Sequence, residues 1–199
     1  LRGALQVANV ELHALLVDDG DITHPQHGQR DLEWIAGWIK TAGLLGARAA
    51  RVIAGKAQPT EANLQTAITR LSQLSERASA SGVRLITENW FGVLSTPQAV
   101  HRVLGAVDLG LCADFGNWGG ASKYDDLAAI FPLATSCHAK CSFSAPYEPD
   151  RVDYLRCLDL SREVGFQGPY TLIYDGPGDD EWQGLALEQE MAQPYLSNR

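Results

Sequence analysis

The chain has 199 residues, and 45% of them are apolar, which suits a single domain with a sizeable core. Its formal net charge of −8 makes the surface repel phosphate backbones, so we expect no nucleic-acid partner. The sequence has no run of about 18 apolar residues, so we expect no membrane-spanning segment and no membrane partner.

Six short and largely apolar segments have the composition of strands that parallel sheets bury on both faces. These predicted strands cover residues 10–17, 49–54, 83–89, 109–114, 135–141 and 170–175. Helical patterns fill the intervals between them. The predicted helices cover residues 31–42, 60–81, 125–131, 151–164 and 180–196, with a further helix that opens at Thr96-Pro97. Gly43, Gly82 and Gly165 fall where helix C-caps are expected.

The alternation of strands and helices is typical of a parallel sheet. A doubly wound open sheet and a closed (β/α)₈ barrel both fit this pattern. Polar residues end several strands, as they do where barrel strands converge on one mouth. These residues are Asp18, Glu88, Asp114, His138 and Asp175. No GxGxxG loop follows a strand, which disfavours a dinucleotide fold. We therefore predict one domain over residues 1–199, an incomplete α/β TIM barrel with about six strands that lacks the first two βα units.

Glu88, Asp114 and His138 are the candidate metal ligands, because each lies at or near the C-terminal end of a strand, on a face that can point into the barrel. Together they make a mixed oxygen and nitrogen site that suits a divalent Mn²⁺, Mg²⁺, Co²⁺ or Zn²⁺ ion. Taken alone, a strand His is more often a satisfied core residue, and an Asp that ends a strand is often a helix cap. Their occurrence on consecutive strands favours a metal site.

Four cysteines are present, and none has the CxxC spacing of a zinc ribbon or a redox motif. They are Cys112, Cys137, Cys141 and Cys157. We expect reduced, buried thiols in a cytoplasmic protein. Strand alternation places Cys137 and Cys141 on the face opposite His138 and Lys140, which directs these two thiols toward the helices.

Four segments resemble motifs of the xylose-isomerase-like sugar isomerase/epimerase family. They are residues 83–92 (VRLITENWFG), 111–117 (LCADFGN), 137–140 (CHAK) and 168–176 (GPYTLIYDG). The resemblance implies a metal-dependent enzyme that isomerises or epimerises a sugar or sugar phosphate. It would abstract an α-proton beside a carbonyl that the metal polarises.

The resemblance also implies roles for single residues. The implied catalytic residues are Glu88, Asp175 and Lys140, and the implied substrate-binding residues are Trp90, Asn117 and Trp118. The family's last strand normally carries a second Glu, but Ile173 occupies that place here. Asp175 lies two residues further on, toward the same face, and is the predicted substitute.

Three other functions stay open. One is a dehydratase or lyase that uses the same site on a sugar-derived keto acid. A second is a degenerate, non-catalytic sugar-binding barrel, which Ile173 motivates. The third is a metal-dependent phosphodiesterase or endonuclease, which Asn117 disfavours because related apurinic endonucleases carry a His there. The expected partner is a small sugar-like molecule, and self-association into a homo-oligomer stays open.

Overall fold

The structure, a computed structural model, describes residues 1–196 and divides into two compact units, Leu1–Leu111 and the described residues from Cys112 onward. The boundary lies inside strand β4 (Gly110–Asp114), so this strand contributes to both units. The remaining elements of the first unit alternate between helix and strand. They are α1 (Arg2–Val7), β1 (Ala14–Val17), α2 (Gly28–Leu45), β2 (Ala49–Val52), α3 (Glu61–Ala80), β3 (Arg84–Glu88) and α4 (Pro97–Leu104).

The second unit continues the alternation after β4. Its elements are α5 (Lys123–Ile130), a 3₁₀ turn (Phe131–Leu133), β5 (Ala134–Lys140), β6 (Phe143–Ala145), β7 (Glu148–Pro149), α6 (Arg151–Glu163), β8 (Tyr170–Ile173) and α7 (Glu181–Leu196). Strands β6 and β7 form a separate antiparallel pair. This hairpin was not predicted from the sequence, because its strands are very short and one of them ends in Pro149, a residue that is typical of loops.

Six strands form one parallel sheet in the order β1-β2-β3-β4-β5-β8. In the first unit Ala14 pairs with Ala49, and Ala49 pairs with Arg84 on its other side. In the second unit Cys137 pairs with Tyr170. Every residue of β2 and β4 is buried, as expected for strands covered on both faces. The predicted fold class, a parallel α/β sheet with six strands of a (β/α)₈ barrel, is confirmed.

The strand and helix boundaries differ from the predicted ones by a few residues at most. The largest difference is at β1, which begins at Ala14 rather than residue 10. Backbone pairing nevertheless extends further, since Leu12 O accepts a hydrogen bond of 3.1 Å from Arg48 N. The predicted helix starts are confirmed by capping, because the hydroxyls of Thr60 and Thr96 each accept a bond of 3.3 Å from the backbone N–H three residues on.

One predicted C-cap is wrong. Helix α2 continues through Gly43 and ends at Leu45, and Gly46 is the left-handed cap with a φ of 81°. Gly43 instead lies against the backbone oxygen of Ser81, the residue that follows α3, and leaves no room there for a Cβ atom. Close packing between two helices, rather than backbone conformation, explains this glycine.

We expect Gly43→Ala to destabilise the protein by about 1–3 kcal/mol, because the added methyl group would collide with backbone that cannot move aside. Gly37 is the matched control on the same helix, since it is exposed and no neighbouring atom lies within 4 Å of the point that a Cβ would occupy. Gly37→Ala should stabilise the helix by about 1 kcal/mol. Urea unfolding of both variants measures the difference. Equal effects of the two substitutions would contradict the packing role of Gly43.

Among the described residues, no helix combines the length and the apolar character that crossing a membrane requires.

Candidate active site

In the first unit, a buried arginine holds two of the carboxylates that end strands. Arg51 of β2 is only 3% exposed, and its guanidinium forms ion pairs with Asp18 after β1 and with Glu88 at the end of β3. The distance from Arg51 Nε to Glu88 Oε2 is 3.0 Å. Glu88 is itself 4% exposed. The guanidinium therefore compensates the charge of a buried carboxylate and fixes its position.

The loop after β3 presents two aromatic rings beside these charges. Trp90 and Phe91 stack with ring centroids 4.3 Å apart, and the Arg51 guanidinium lies 5.3 Å from the centre of the Trp90 ring. Phe91 has a positive φ of 56°, an uncommon conformation for a residue with a side chain. Such strained positions cluster at functional sites, which is consistent with the predicted substrate contact at Trp90.

In the second unit, Asp114 and His138 form a buried acid–imidazole pair. Asp114 Oδ1 accepts hydrogen bonds from the backbone N–H groups of Gly116 at 2.6 Å and Asn117 at 2.8 Å. Asp114 Oδ2 lies 3.5 Å from Nδ1 of His138. The two residues are 2% and 5% exposed. One carboxylate oxygen is thus locked by the backbone of the β4–α5 loop, while the other faces the imidazole.

Lys140 and Asp175 form an ion pair near the ends of β5 and β8. Lys140 is paired in register with Ile173, the last residue of β8, and Asp175 lies just beyond that strand. The Asp175 side chain is 54% exposed, so its carboxylate is accessible from solvent. The aliphatic stem of Lys140 packs against Gly116, which brings the lysine close to the loop that locks Asp114.

The remaining predicted substrate residues follow β4. Asn117 is half-buried, and its backbone N–H is committed to Asp114. Trp118 is also half-buried, and its buried indole N–H has no acceptor among residues 1–196. A buried donor of this kind gains by binding an external acceptor. This supports the predicted role of Trp118 in substrate binding.

Each unit offers buried donor atoms of the kinds that divalent cations accept. Glu88, Cys112 and His138 are buried residues that each offer a suitable ligand atom. Carboxylate, imidazole and thiol donors match Zn²⁺ and Co²⁺, while carboxylates and imidazole alone also accept Mn²⁺ and Mg²⁺. Cys112 was not among the predicted ligands. Its position two residues before Asp114 on the same strand, and so on the same face, is the signal that could have found it.

The prediction of unpaired, buried cysteines is confirmed, since Cys112, Cys137, Cys141 and Cys157 are free and buried. Burial and, secondarily, the nearby Glu188 carboxyl raise the pKa of the Cys141 thiol to about 12. A thiol with such a pKa is protonated and unreactive at neutral pH.

Glu188 of α7 is a fully buried carboxyl group that the sequence analysis missed. Its Oε1 accepts a hydrogen bond of 3.4 Å from the backbone N–H of Cys141. Burial raises the pKa of Glu188 to about 8. Hydrogen bonds from the backbones of Cys141 and Ile173 oppose this shift. Among the nearby charges, Asp175 raises the pKa further and Lys140 lowers it. Glu188 therefore joins α7 to the ends of β5 and β8 as a neutral acid near pH 7.

Arg51 was also missed, although a signal for it exists. It is the one charged residue in the predicted strand 49–54, AARVIA, where all the other residues are apolar. A charge in a strand that is buried on both faces requires a partner, and the carboxylates that end the neighbouring strands supply it.

Comparison with known proteins shows a common fold. A family model described as "Xylose isomerase-like TIM barrel" matches residues 1–188, whereas no curated protein sequence matches significantly. A xylose isomerase-like TIM barrel protein from Mycobacterium smegmatis, solved in complex with magnesium, superposes with a TM-score of 0.76 at 18% identity, over 98% of this chain and 76% of that one.

Two further solved structures have assigned activities. A 3-keto-D-glucoside 4-epimerase from E. coli has a TM-score of 0.73 at 14% identity, over 96% of this chain and 82% of that one. A probable 3-DHS dehydratase from Bacillus anthracis has a TM-score of 0.66 at 16% identity, over 100% of this chain and 80% of that one. At these identities the likeness establishes the fold alone.

Proposed function

Because the chain belongs to the xylose isomerase-like TIM barrel family, we propose that it is a metal-dependent isomerase or epimerase of a sugar or sugar phosphate. The observation that carries this proposal is the buried pair of Asp114 and His138, in which the backbone locks one carboxylate oxygen and leaves the other beside the imidazole. A pair held in this way is preorganised to bind a cation without rearrangement.

In this proposal Glu88, Asp114 and His138 hold a divalent ion, with Cys112 as a further donor. The ion supplies Lewis-acid polarisation of a substrate carbonyl. Arg51 keeps the Glu88 carboxylate in one orientation through the ion pair at 3.0 Å. This restraint favours catalysis, because a side chain that both holds the metal and takes part in proton transfer must keep one position relative to the substrate.

The proton transfer is assigned to carboxylates of the chain. Asp175 is the proposed general base and acid, since its side chain is accessible and Lys140 holds it in place. Glu88 is the second candidate for this role. Lys140 can donate a hydrogen bond to a substrate oxygen. The proposed contacts to the sugar are the rings of Trp90 and Trp118 and the side chain of Asn117.

The test has a metal arm and a chemical arm. We expect wild-type protein to bind Mn²⁺ or another of the four divalent ions in calorimetric titration, and His138→Ala to weaken that binding at least about 10- to 100-fold. His101→Ala is the matched control, because His101 is an exposed residue of α4. In D₂O, the metal-loaded protein should incorporate deuterium at the α-carbon of at least one ketose or ketose phosphate. Equal metal affinity in all three proteins would contradict the proposed ligands.

A dehydratase on the same site is the second candidate, supported by the shared fold of the Bacillus anthracis structure. It needs the same α-proton removal but expels a hydroxyl group as water. Dehydration forms a conjugated carbonyl compound, whose ultraviolet absorbance can be measured. Isomerisation forms no such product, so this absorbance distinguishes the two reactions. If neither α-proton exchange nor dehydration occurs with any sugar or keto acid tested, the non-catalytic sugar-binding function replaces both candidates.

A further inference from the structure

A cavity of about 510 Å³ opens in the first unit beside the loop between β1 and α2. The residues that matter for its chemistry are Asp19, Asp21, Arg30, Asp31, Trp34 and Lys56. None of these residues is among the proposed metal ligands or the proton-transfer groups. The cavity is large enough for one sugar ring, and it combines a few placed polar groups with an aromatic wall, as small-molecule sites do.

The charges that line this cavity compensate each other. Arg30 forms an ion pair with Asp31 at 2.8 Å, and the Lys56 ammonium lies 4.0 Å from Asp19. Burial disfavours the charge on Asp21, but hydrogen bonds from the Thr23 hydroxyl and from the backbones of Lys56 and Thr23 outweigh it and lower its pKa. The lining thus carries three carboxylates and two cations, without a strong excess of either charge. Such a lining matches a neutral polyhydroxyl ligand better than a phosphate or a free cation.

The aromatic wall is Trp34, which is 44% exposed. Helix α2 buries its other face through Leu32, Ile35 and Ile39, so Trp34 takes no part in the core. The ring packs edge-to-face against Trp38, with centroids 6.0 Å apart and an interplanar angle of 71°. The open face of an indole held in this way is suited to stack on the C–H face of a sugar ring.

The cavity is connected to Glu88 of the same unit through a chain of neighbouring residues. Asp19 directly follows Asp18, whose carboxylate pairs with the guanidinium that also holds Glu88. On the other side, the Lys56 ammonium lies 5.2 Å from the centre of the Phe91 ring, which stacks on Trp90. A ligand in the cavity therefore lies beside the loops of this unit that carry Asp18 and Phe91.

We propose that this cavity binds the non-reacting, neutral sugar ring of a glycoside, stacked on Trp34. The substrate class is then a glycoside or disaccharide rather than a free monosaccharide. This inference rests on the proposed function for its choice of a sugar ligand. It goes beyond that function by assigning a second subsite and a substrate of two linked units.

Calorimetric titration with maltose, cellobiose, lactose and glucose tests the inference. We expect at least one disaccharide to bind more tightly than glucose, and Trp34→Ala to raise its Kd about tenfold or more. Trp34→Phe retains a ring and should change the Kd less than about threefold. Leu44→Ala is the matched control, because Leu44 is 66% exposed on the same helix but neither lines the cavity nor contacts the Trp34 ring. A thermal melt of each variant checks that it is folded.

Three results would overturn the inference. No disaccharide binds, or Trp34→Ala and Leu44→Ala weaken binding equally. The third is that glucose 6-phosphate binds more tightly than any disaccharide and loses that affinity in Arg30→Met. The titrations are repeated with EDTA-treated protein, in which the Kd of the disaccharide should be unchanged. Binding that depends on Trp34 but not on metal would stand even if the isomerase chemistry fails. Metal-dependent proton exchange without Trp34-dependent binding would remove only the second subsite.

Discussion

Asp175→Asn is expected to slow exchange of the substrate α-proton about 10²- to 10⁴-fold, the usual cost of losing a general base. The amide is nearly isosteric with the carboxylate, but it cannot accept the proton. Asp175 lies outside the proposed metal site, so metal affinity should stay unchanged. The measurement is deuterium incorporation at the α-carbon by NMR, with metal content determined in parallel.

Two further variants separate the chemical role of Asp175 from its ion pair with Lys140. Asp179→Asn removes an exposed carboxylate from the same loop and should leave the exchange rate within about twofold of wild type. Lys140→Met removes the ion pair but leaves the carboxylate, and should reduce the rate less than Asp175→Asn does. If Asp175→Asn exchanges protons as fast as wild type, Asp175 has only a structural role.

Glu188→Gln is expected to remove most of the pH dependence of stability between about pH 5 and pH 8. Burial raises the pKa of Glu188 from 4.5 to about 8 in the folded protein. Below the unfolded-state pKa, the folded and the unfolded protein both hold the Glu188 proton, and the contribution of this group to the free energy of unfolding is fully present. As the pH rises toward 8, only the folded state retains the proton, so the free energy of unfolding falls. At about 1.4 kcal/mol per pKa unit, the loss is of order 3–5 kcal/mol.

The glutamine variant has no such proton to lose, and its side-chain oxygen can still accept the hydrogen bond from Cys141. It should therefore match wild type near pH 5 and exceed it by several kcal/mol at pH 8. Glu190→Gln, at an exposed position of the same helix, should follow the wild-type profile. Urea unfolding at five pH values gives the three curves. Parallel curves for wild type and Glu188→Gln would show that this carboxyl is not a neutral acid in the fold.

The parallel sheet and the strands that carry Asp114 and His138 could be predicted because their signals are local. An apolar run with a polar residue at or near its end identifies both the strand and its carboxyl end, as at Asp114 and His138. The sequence distance between Thr60 and Asn63 likewise predicts a cap without knowledge of the fold. These features depend on residues within one or two turns of each other.

Glu188 could not be predicted for the opposite reason. A glutamate in a helix with little amphipathic pattern is expected on the solvated face, and only the packing of α7 against distant strands buries it. Gly43 was wrongly predicted to be a helix cap because its role depends on Ser81, 38 positions away along the chain. Arg51 lies between these cases, since its burial follows from the strand but its partners follow from the sheet order.

The buried acid on α7 also changes how the charge of the molecule should be counted. The formal net charge of −8 treats every Asp and Glu as ionised. With a pKa of about 8, Glu188 is about nine-tenths protonated at pH 7, so this one group brings the folded chain to about −7. Unfolding at that pH releases nearly one proton to the buffer. The enthalpy of unfolding measured by calorimetry therefore contains the ionisation heat of the buffer, and it differs between phosphate and Tris even when the protein's own contribution is the same.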